Sequence, residues 1–151
     1  MRHLTLVTDI AAPIELVYDA SLDVDVHMAS QPNGERAVAG VTSGMMSLGD
    51  TVTWSARHFG IRWRLTSQII VAERPHTFTD EQLRGPFARW HHRHVFERHG
   101  AGTRMTDEVA WAAPLGPLGR LVEAAALARH MERLLNGRNA YLKRLCETPQ
   151  P

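Results

Sequence analysis

Cysteine is nearly missing from this chain: Cys146 stands alone, so neither an intramolecular disulfide framework nor a cysteine-based zinc cluster can be built. There is no surplus of charge either. With 17 basic and 16 acidic side chains the formal charge is +1 over 151 residues, and the basic residues are scattered, which leaves no electrostatic footprint for nucleic acid. Arg57, Arg62 and Arg64 are the densest basic group, the ordinary look of a solvated strand face. No apolar run approaches membrane-spanning length, so stable insertion into a bilayer is not expected. The N-terminus lacks the basic, apolar and small-residue succession of a signal peptide, and a reducing cytoplasm is the expected compartment. A GxSxG nucleophile elbow and a glycine-rich phosphate loop are both absent, which removes the serine-hydrolase and mononucleotide readings. No cofactor is expected.

What the chain does have is 44% hydrophobic residues in 151, enough for one domain that buries roughly 70% of its unfolded surface. That domain is expected over residues 1–147, with 148–151 as a disordered tail. The most informative stretch is Ala88 to Phe96. At a strand's period of two it sorts into two unlike faces: Trp90, His92, His94 and Phe96 share one, while Arg89, His91, Arg93 and Glu97 share the other with only Val95 apolar among them. The histidine pair therefore points inward. An apolar core has no use for two imidazoles, because a buried polar group without a partner costs about 2 kcal/mol or more. That face reads as the wall of a ligand cavity.

The remaining elements follow from local pattern. Arg2 to Thr8 alternates as a first strand, and Pro13 starts a short helix within Ala11 to Ala20. Asp23 to Ala29 forms a second short helix before the turn at Gln31 to Gly34, and Glu35 to Thr42 resumes as a strand. The hairpin from Asp50 to Val71 turns at Phe59 and Gly60, which opposes Trp54 to Leu65 and Ala56 to Trp63 on one apolar face. The same register sends Arg57, Arg62 and Arg64 to the other face, so the two strands agree on which side is wet. Strands from Thr77 to Arg84, through the histidine segment, and from Thr103 to Ala112 complete an antiparallel meander. After the two prolines Pro114 and Pro117, one long helix runs through Cys146. Its apolar stripe comprises Leu121, Ala124, Ala128, Met131, Leu135, Leu142 and Leu145, with Leu127, Leu134 and Tyr141 alongside, and Gly137 suggests close approach to the sheet.

This order of elements resembles the helix-grip fold of the START-like (SRPBCC) superfamily, and within it the bacterial polyketide cyclase/dehydrase and lipid-transport-like proteins. The residues that carry the resemblance are Ala11 to Tyr18, Leu48 to Trp54, Arg84 to Trp90, the histidine strand, Gly102 to Val109 and Pro114 to Gly119. It implies an α+β class in which a curved antiparallel sheet wraps a long C-terminal helix, with two short helices after the first strand and a cavity between sheet and helix. It carries no shared catalytic signature, since one fold hosts many functions.

Within that frame Trp54, Trp63, Leu65, Gln82, Trp90, Phe96, Met105, Val109, Ala128 and Met131 are the expected cavity lining. His92, His94 and Asp107 are the candidate catalytic group. The loop at Gly100 to Gly102 allows two registers, one opposing Asp107 to His92 and the other to His94, and either pairs a histidine with the carboxylate. The strand from Thr77 to Arg84 also has two faces open to it. If Phe78, Asp80 and Gln82 face inward, Asp80 meets His92 and Gln82 meets Trp90; the alternative face carries Thr77, Thr79, Glu81 and Leu83. His92, His94 and Asp107 together offer two imidazoles and a carboxylate, but bulky Trp90 and Phe96 and the lack of an independent third-ligand signature weigh against a metal, and none is expected. His58 and His27 read as surface or loop residues, with the cavity rim as the alternative for each. The loop Gly44 to Gly49 exposes Met45, Met46 and Leu48 unless something covers them, and reads as an entrance lid or a homodimer contact. The function expected is intracellular binding of a hydrophobic or aromatic small molecule. The rival is an aromatase/cyclase or dehydrase that uses the histidines for acid-base chemistry, and the third class is an interaction module acting on a partner protein.

Overall fold

A first strand, β1 (Arg2–Ile10), pairs with the last strand of the chain, β7 (Gly102–Ala112), in an unbroken antiparallel register from Arg2 opposite Trp111 to Ile10 opposite Thr103. That pairing closes a sheet whose other strands are a continuous meander: β2 (Arg36–Gly40), β3 (Thr51–His58), β4 (Ile61–Glu73), β5 (Thr77–Arg84) and β6 (Arg89–His99). The spatial order β1-β7-β6-β5-β4-β3-β2 makes seven strands. Two short helices, α1 (Ile14–Ser21) and α2 (Val24–Ala29), separate β1 from β2, and α3 (Gly119–Glu147) follows the sheet. This is the α+β helix-grip arrangement. The computed structural model describes residues 1–112 and 119–149, with the backbone alone for 119–124. The Pro114 and Pro117 turn, the side chains of Leu121 and Ala124, and the end of the expected tail lie outside the described residues.

Local chemistry explains the boundaries. Pro13 stands in extended conformation just before α1, and the Asp23 carboxylate accepts the Val26 N–H at 3.1 Å to cap α2. At the β3–β4 turn both Phe59 and Gly60 take positive φ, 53° and 75°, the two-residue hairpin geometry that matches strand twist. Trp54 then faces Leu65, Ala56 faces Trp63, and Arg62 and Arg64 are exposed, as the sequence register requires. In β6 and β7 burial alternates strictly, with Trp90, His92, His94 and Phe96 on one strand and Thr103, Met105, Asp107, Val109 and Trp111 on the other.

Apolar packing falls into two bodies. At the α1 end, Tyr18 stands edge-on to Phe78 and Phe96, with ring centroids 5.6 and 5.3 Å apart, over Val17, Met105, Leu142 and Cys146. At the other end Trp90, Val109, Trp111 and Leu135 pack with Leu127, Ala128 and Met131. The helix is thus gripped around Leu127 to Leu135 and again at Leu142 to Cys146, and space is left between the two bodies.

Two local expectations are corrected. Gly137 does not mark close approach: a Cβ built there meets nothing within 4 Å, and the residue is exposed. Gly137→Ala is therefore expected to raise stability by about 0.5–1 kcal/mol, since the helix gains propensity at no steric cost; urea unfolding of the two proteins checks it, and a loss would mean the position is not open. Met46 is not a surface residue either. Its N–H bonds to Leu22 O at 3.2 Å and its side chain is buried, while Met45 and Leu48 remain exposed. Asp25 accepts from Ser43 Oγ and Gly44 N–H, each at 2.9 Å, which ties this loop to α2.

Candidate active site

Between the two packed bodies lies a cavity of about 630 Å³. Its sheet wall is Trp54, Ala56, Trp63, Leu65 and Ile69, its helix wall is Leu127, Met131, Leu134 and Leu135, and Phe78 and Trp90 flank a polar inner end formed by Asp80, His92, His94 and Arg138. Phe59, Ile61 and Trp63 stand partly in solvent at the opposite end, which is the mouth. There His58 Nδ1 lies 2.7 Å from His130 Nε2, one ring donating to the other's lone pair, and this bond ties the β3–β4 hairpin to α3. His27 packs its ring on Trp54 at 4.3 Å and contacts Glu35 at 3.1 Å. Both His27, on α2, and His58, at the end of β3, thus line the cavity, the rim alternative.

The inner end is a fully connected polar network. Asp107 has no exposure at all. Its carboxylate accepts from His92 Nε2 at 2.8 Å, from Asn139 Nδ2 at 2.7 Å and from Arg138 at 3.3 Å, and His94 Nδ1 is 3.3 Å away. His94 Nε2 contacts Asp80 Oδ2 at 3.1 Å, and Trp90 Nε1 donates to the other Asp80 oxygen at 3.4 Å. The two imidazoles stack with centroids 3.7 Å apart, and Phe78 stacks on His94 at 3.9 Å. His94, held on both faces and at both nitrogens, has little rotamer freedom left, while His92 is held on one face by His94 and at Nε2 by Asp107.

The whole of this architecture, residues 1–147, matches the family described as polyketide cyclase/dehydrase and lipid transport. The chain belongs to that family. Its fold recurs in the aromatase/cyclase Zhui from Streptomyces sp. R1128, with TM-score 0.75, 17% identity, and coverage of 97% of this chain and 93% of that one. It recurs in TTHA0849 from Thermus thermophilus, with TM-score 0.74, 20% identity, and coverage of 93% and 97%. The di-domain ARO/CYC protein StfQ of the steffimycin biosynthetic pathway gives TM-score 0.76 at 13% identity over 96% of this chain and 50% of that one. At such identities the likeness is one of fold. Among curated proteins none matches the chain in sequence.

In this member of the polyketide cyclase/dehydrase family the strand registers settle both open questions. Asp107 stands opposite His94, yet its side chain reaches His92 as well. Asp80 stands opposite His92, so Phe78 and Asp80 face inward. Gln82 does not meet Trp90, because the β5–β6 pairing ends at Glu81 opposite His91; its amide instead closes the hairpin on itself, donating to Phe87 O at 2.8 Å. Of the expected lining, Trp54, Trp63, Leu65, Trp90 and Met131 face the cavity. Phe96 and Met105 are core beneath α1, and Val109 and Ala128 belong to the packed body around Trp111. They share the correct sheet face or helix stripe but lie where a helix covers it. Asp107 sits behind the histidines rather than on the cavity wall.

Arg138 and Asn139 were not anticipated. Both are buried, at 4% and 2% exposure, on a helix read only for its apolar stripe. The signal was there in the spacing: stepping by three or four from Leu135 to Leu142 passes through these two polar residues.

Charge within the network is set by these contacts. Burial pushes the Asp107 carboxyl up, but hydrogen bonds from His92 and His94 and the Arg138 guanidinium outweigh it and hold the group well below the usual carboxylate range. Asp80 is likewise lowered, with burial overcome by the His94 hydrogen bond and the neighbouring imidazoles. Burial, reinforced by His94 and opposed by Asp107, pushes His92 down to about 4. His92 is thus neutral at pH 7. Because ionised Asp107 can only accept, His92 carries its proton on Nε2 and leaves Nδ1 bare. Among the described residues Nδ1 has no partner, and its ring lines the cavity.

A pH dependence of stability follows. A histidine lowered from 6.5 to about 4 on folding contributes stability that is complete above pH 6.5 and is lost as pH falls toward 4, because only the unfolded chain takes up the proton in that window. The full contribution is about 3 kcal/mol. His58 and His130, lowered by burial, act in the same direction, and the lowered Asp107 and Asp80 continue the loss below the ordinary carboxylate range. Urea midpoints measured from pH 7 to pH 4 are expected to fall steadily, with a shallower fall in His92→Gln; a flat profile in the parent protein would contradict the assigned charge states.

Proposed function

We propose that the protein binds a hydrophobic, ring-bearing small molecule in this cavity, with an oxygen-bearing end seated on His92, His94 and Arg138. One observation carries the reading: a cavity of about 630 Å³, lined mostly by aromatic and aliphatic side chains, ends on a small set of immobilised polar groups. Apolar walls supply affinity and a few fixed polar groups supply orientation, which is how small-molecule sites are generally built. The bare Nδ1 of His92 accepts from a hydroxyl, and the Arg138 guanidinium suits a carbonyl or enolate oxygen.

The same pair supports a second reading, an aromatase/cyclase or dehydrase in which His92 takes a proton from an enolisable carbon while Arg138 steadies the oxygen. What favours it is the placement of acceptor and cation at one end of the cavity, together with fold neighbours that are an aromatase/cyclase and an ARO/CYC protein. Basicity favours binding. A base works best with a pKa near the operating pH, and an imidazole lowered to about 4 is some three units too weak at pH 7.

Calorimetric titration with 1-naphthol, in EDTA, tests the first reading: saturable one-to-one binding is expected. Absence of saturable binding by folded protein would overturn it. Incubation with a poly-β-keto thioester separates the second reading, since a cyclised or dehydrated product would establish turnover and recovery of unchanged substrate would count for a carrier.

A further inference from the structure

Asp80, His92 and His94 each offer one ligand atom, and the three atoms lie within 4.8 Å of one another at the inner end of the cavity. We propose that they form a binding site for a first-row divalent transition-metal ion. The site shares His92 and His94 with the seat proposed for the organic ligand's oxygen-bearing end but requires neither reading of the function.

Geometry and donor chemistry agree on the site. The 3.1 Å between His94 Nε2 and Asp80 Oδ2 matches the edge between two ligands held at about 2.1 Å from one ion and roughly 95° apart. Asp107 already occupies the far sides of both imidazoles, 2.8 Å from His92 Nε2 and 3.3 Å from His94 Nδ1. The other nitrogens are His92 Nδ1, which has no partner among the described residues, and His94 Nε2, which already faces Asp80 Oδ2. Asp107 takes the rear N–H of His92, the support that metal-bound imidazoles ordinarily have, fixing the tautomer and raising donor strength, while His94 Nδ1 faces both Asp107 and, at 3.5 Å, the Arg138 guanidinium. Asn139 and Arg138 in turn fix that carboxylate.

Charge points the same way. Asp80 and Asp107 are two carboxylates, and Arg138 is the single guanidinium within reach of either among the described residues. A cation between Asp80 and the histidines adds a second positive charge beside the two carboxylates. Two imidazoles and one carboxylate without a thiolate select zinc, iron(II), cobalt(II) or nickel over calcium and magnesium, and such a set covers one side of an ion only, leaving positions open to the cavity.

Cobalt(II) alone is the probe, added to chelator-treated protein without an affinity tag. Uptake of one ion per chain with a visible ligand-field band is expected, weakened about 100-fold or more in Asp80→Ala and about 10- to 100-fold in Asp107→Asn. The Asp80 side chain retains 19% exposure, so its truncation should spare the fold, which circular dichroism checks. His130→Gln, which removes the other histidine pair, should leave affinity unchanged. Independently of any variant, zinc should shift the His92 and His94 ring resonances of the parent protein at one equivalent. Failure of the folded protein to saturate with cobalt, equal affinity in Asp80→Ala, or unmoved His92 and His94 resonances would each overturn the site. None of those outcomes touches 1-naphthol binding measured in EDTA.

Discussion

Replacing Asp107 by Asn is expected to cost about 3–5 kcal/mol of folding stability. The side chain keeps its shape but loses the charge that faces His92, Asn139 and Arg138. An amide can accept on one oxygen only, so its NH₂ group confronts donors from Asn139 or from Arg138, and the guanidinium, at 4% exposure, is left without a counterion. A lone buried charge is far more costly than the pair it came from is favourable. For that reason the double variant Asp107→Asn with Arg138→Met should recover part of the loss. Urea unfolding at pH 7 gives both numbers. A single-variant loss under about 1 kcal/mol would mean that Asp107 is already solvated or unpaired. The same protein separates orientation from catalysis: bracing alone predicts 1-naphthol affinity within about tenfold, whereas acid-base chemistry predicts that turnover collapses while binding persists.

Ala56→Trp is expected to abolish aromatic-probe binding, with at least a 100-fold loss of affinity in a folded protein. Ala56 is buried at 4% on the sheet wall, directly opposite Trp63 and two residues from Trp54, so an indole there projects into the middle of the cavity. The new ring fills empty volume, and the stability cost should be small. Ala128→Trp makes the contrast. Ala128 packs against the body around Trp111 rather than against the cavity, so the larger side chain overpacks that contact and lowers stability by about 1–3 kcal/mol. Calorimetry with 1-naphthol and urea unfolding on both variants distinguish the two positions; undiminished binding in Ala56→Trp would place the ligand elsewhere.

How much of this was legible in the sequence depends on how local each feature is. Strand period and turn chemistry are local, so the inward histidine face, the Trp54–Leu65 register and the meander up to β7 follow from residue pattern, whereas the pairing of β1 with β7 does not. Which part of an apolar face is cavity and which is core is not local. Phe96 and Met105 share the inward face with His92 and His94, and only the position of α1, fixed by Tyr18 on Phe78 and Phe96, turns them into packing. Gln82 was misplaced because the strand pairing stops one residue short of it, a break that pattern does not announce. Arg138 and Asn139 escaped notice since polar residues on a charged helix look solvated until a buried carboxylate is found beneath them. Asp80 needed the β5 register, for which composition offered two faces.

The tryptophans provide the most direct test of the cavity as a binding site. Trp54, Trp63 and Trp90 line it, while Trp111 is buried at 2% exposure in the packed body behind Trp90. In a nuclear magnetic resonance titration of the parent protein with 1-naphthol, the indole N–H signals of the first three should shift together and saturate at one equivalent, with the His92 ring moving alongside. Trp111 should stay close to its starting position. Saturable shifts confined to Trp111 or to surface amides, with Trp54, Trp63 and Trp90 unmoved, would contradict ligand binding in this cavity.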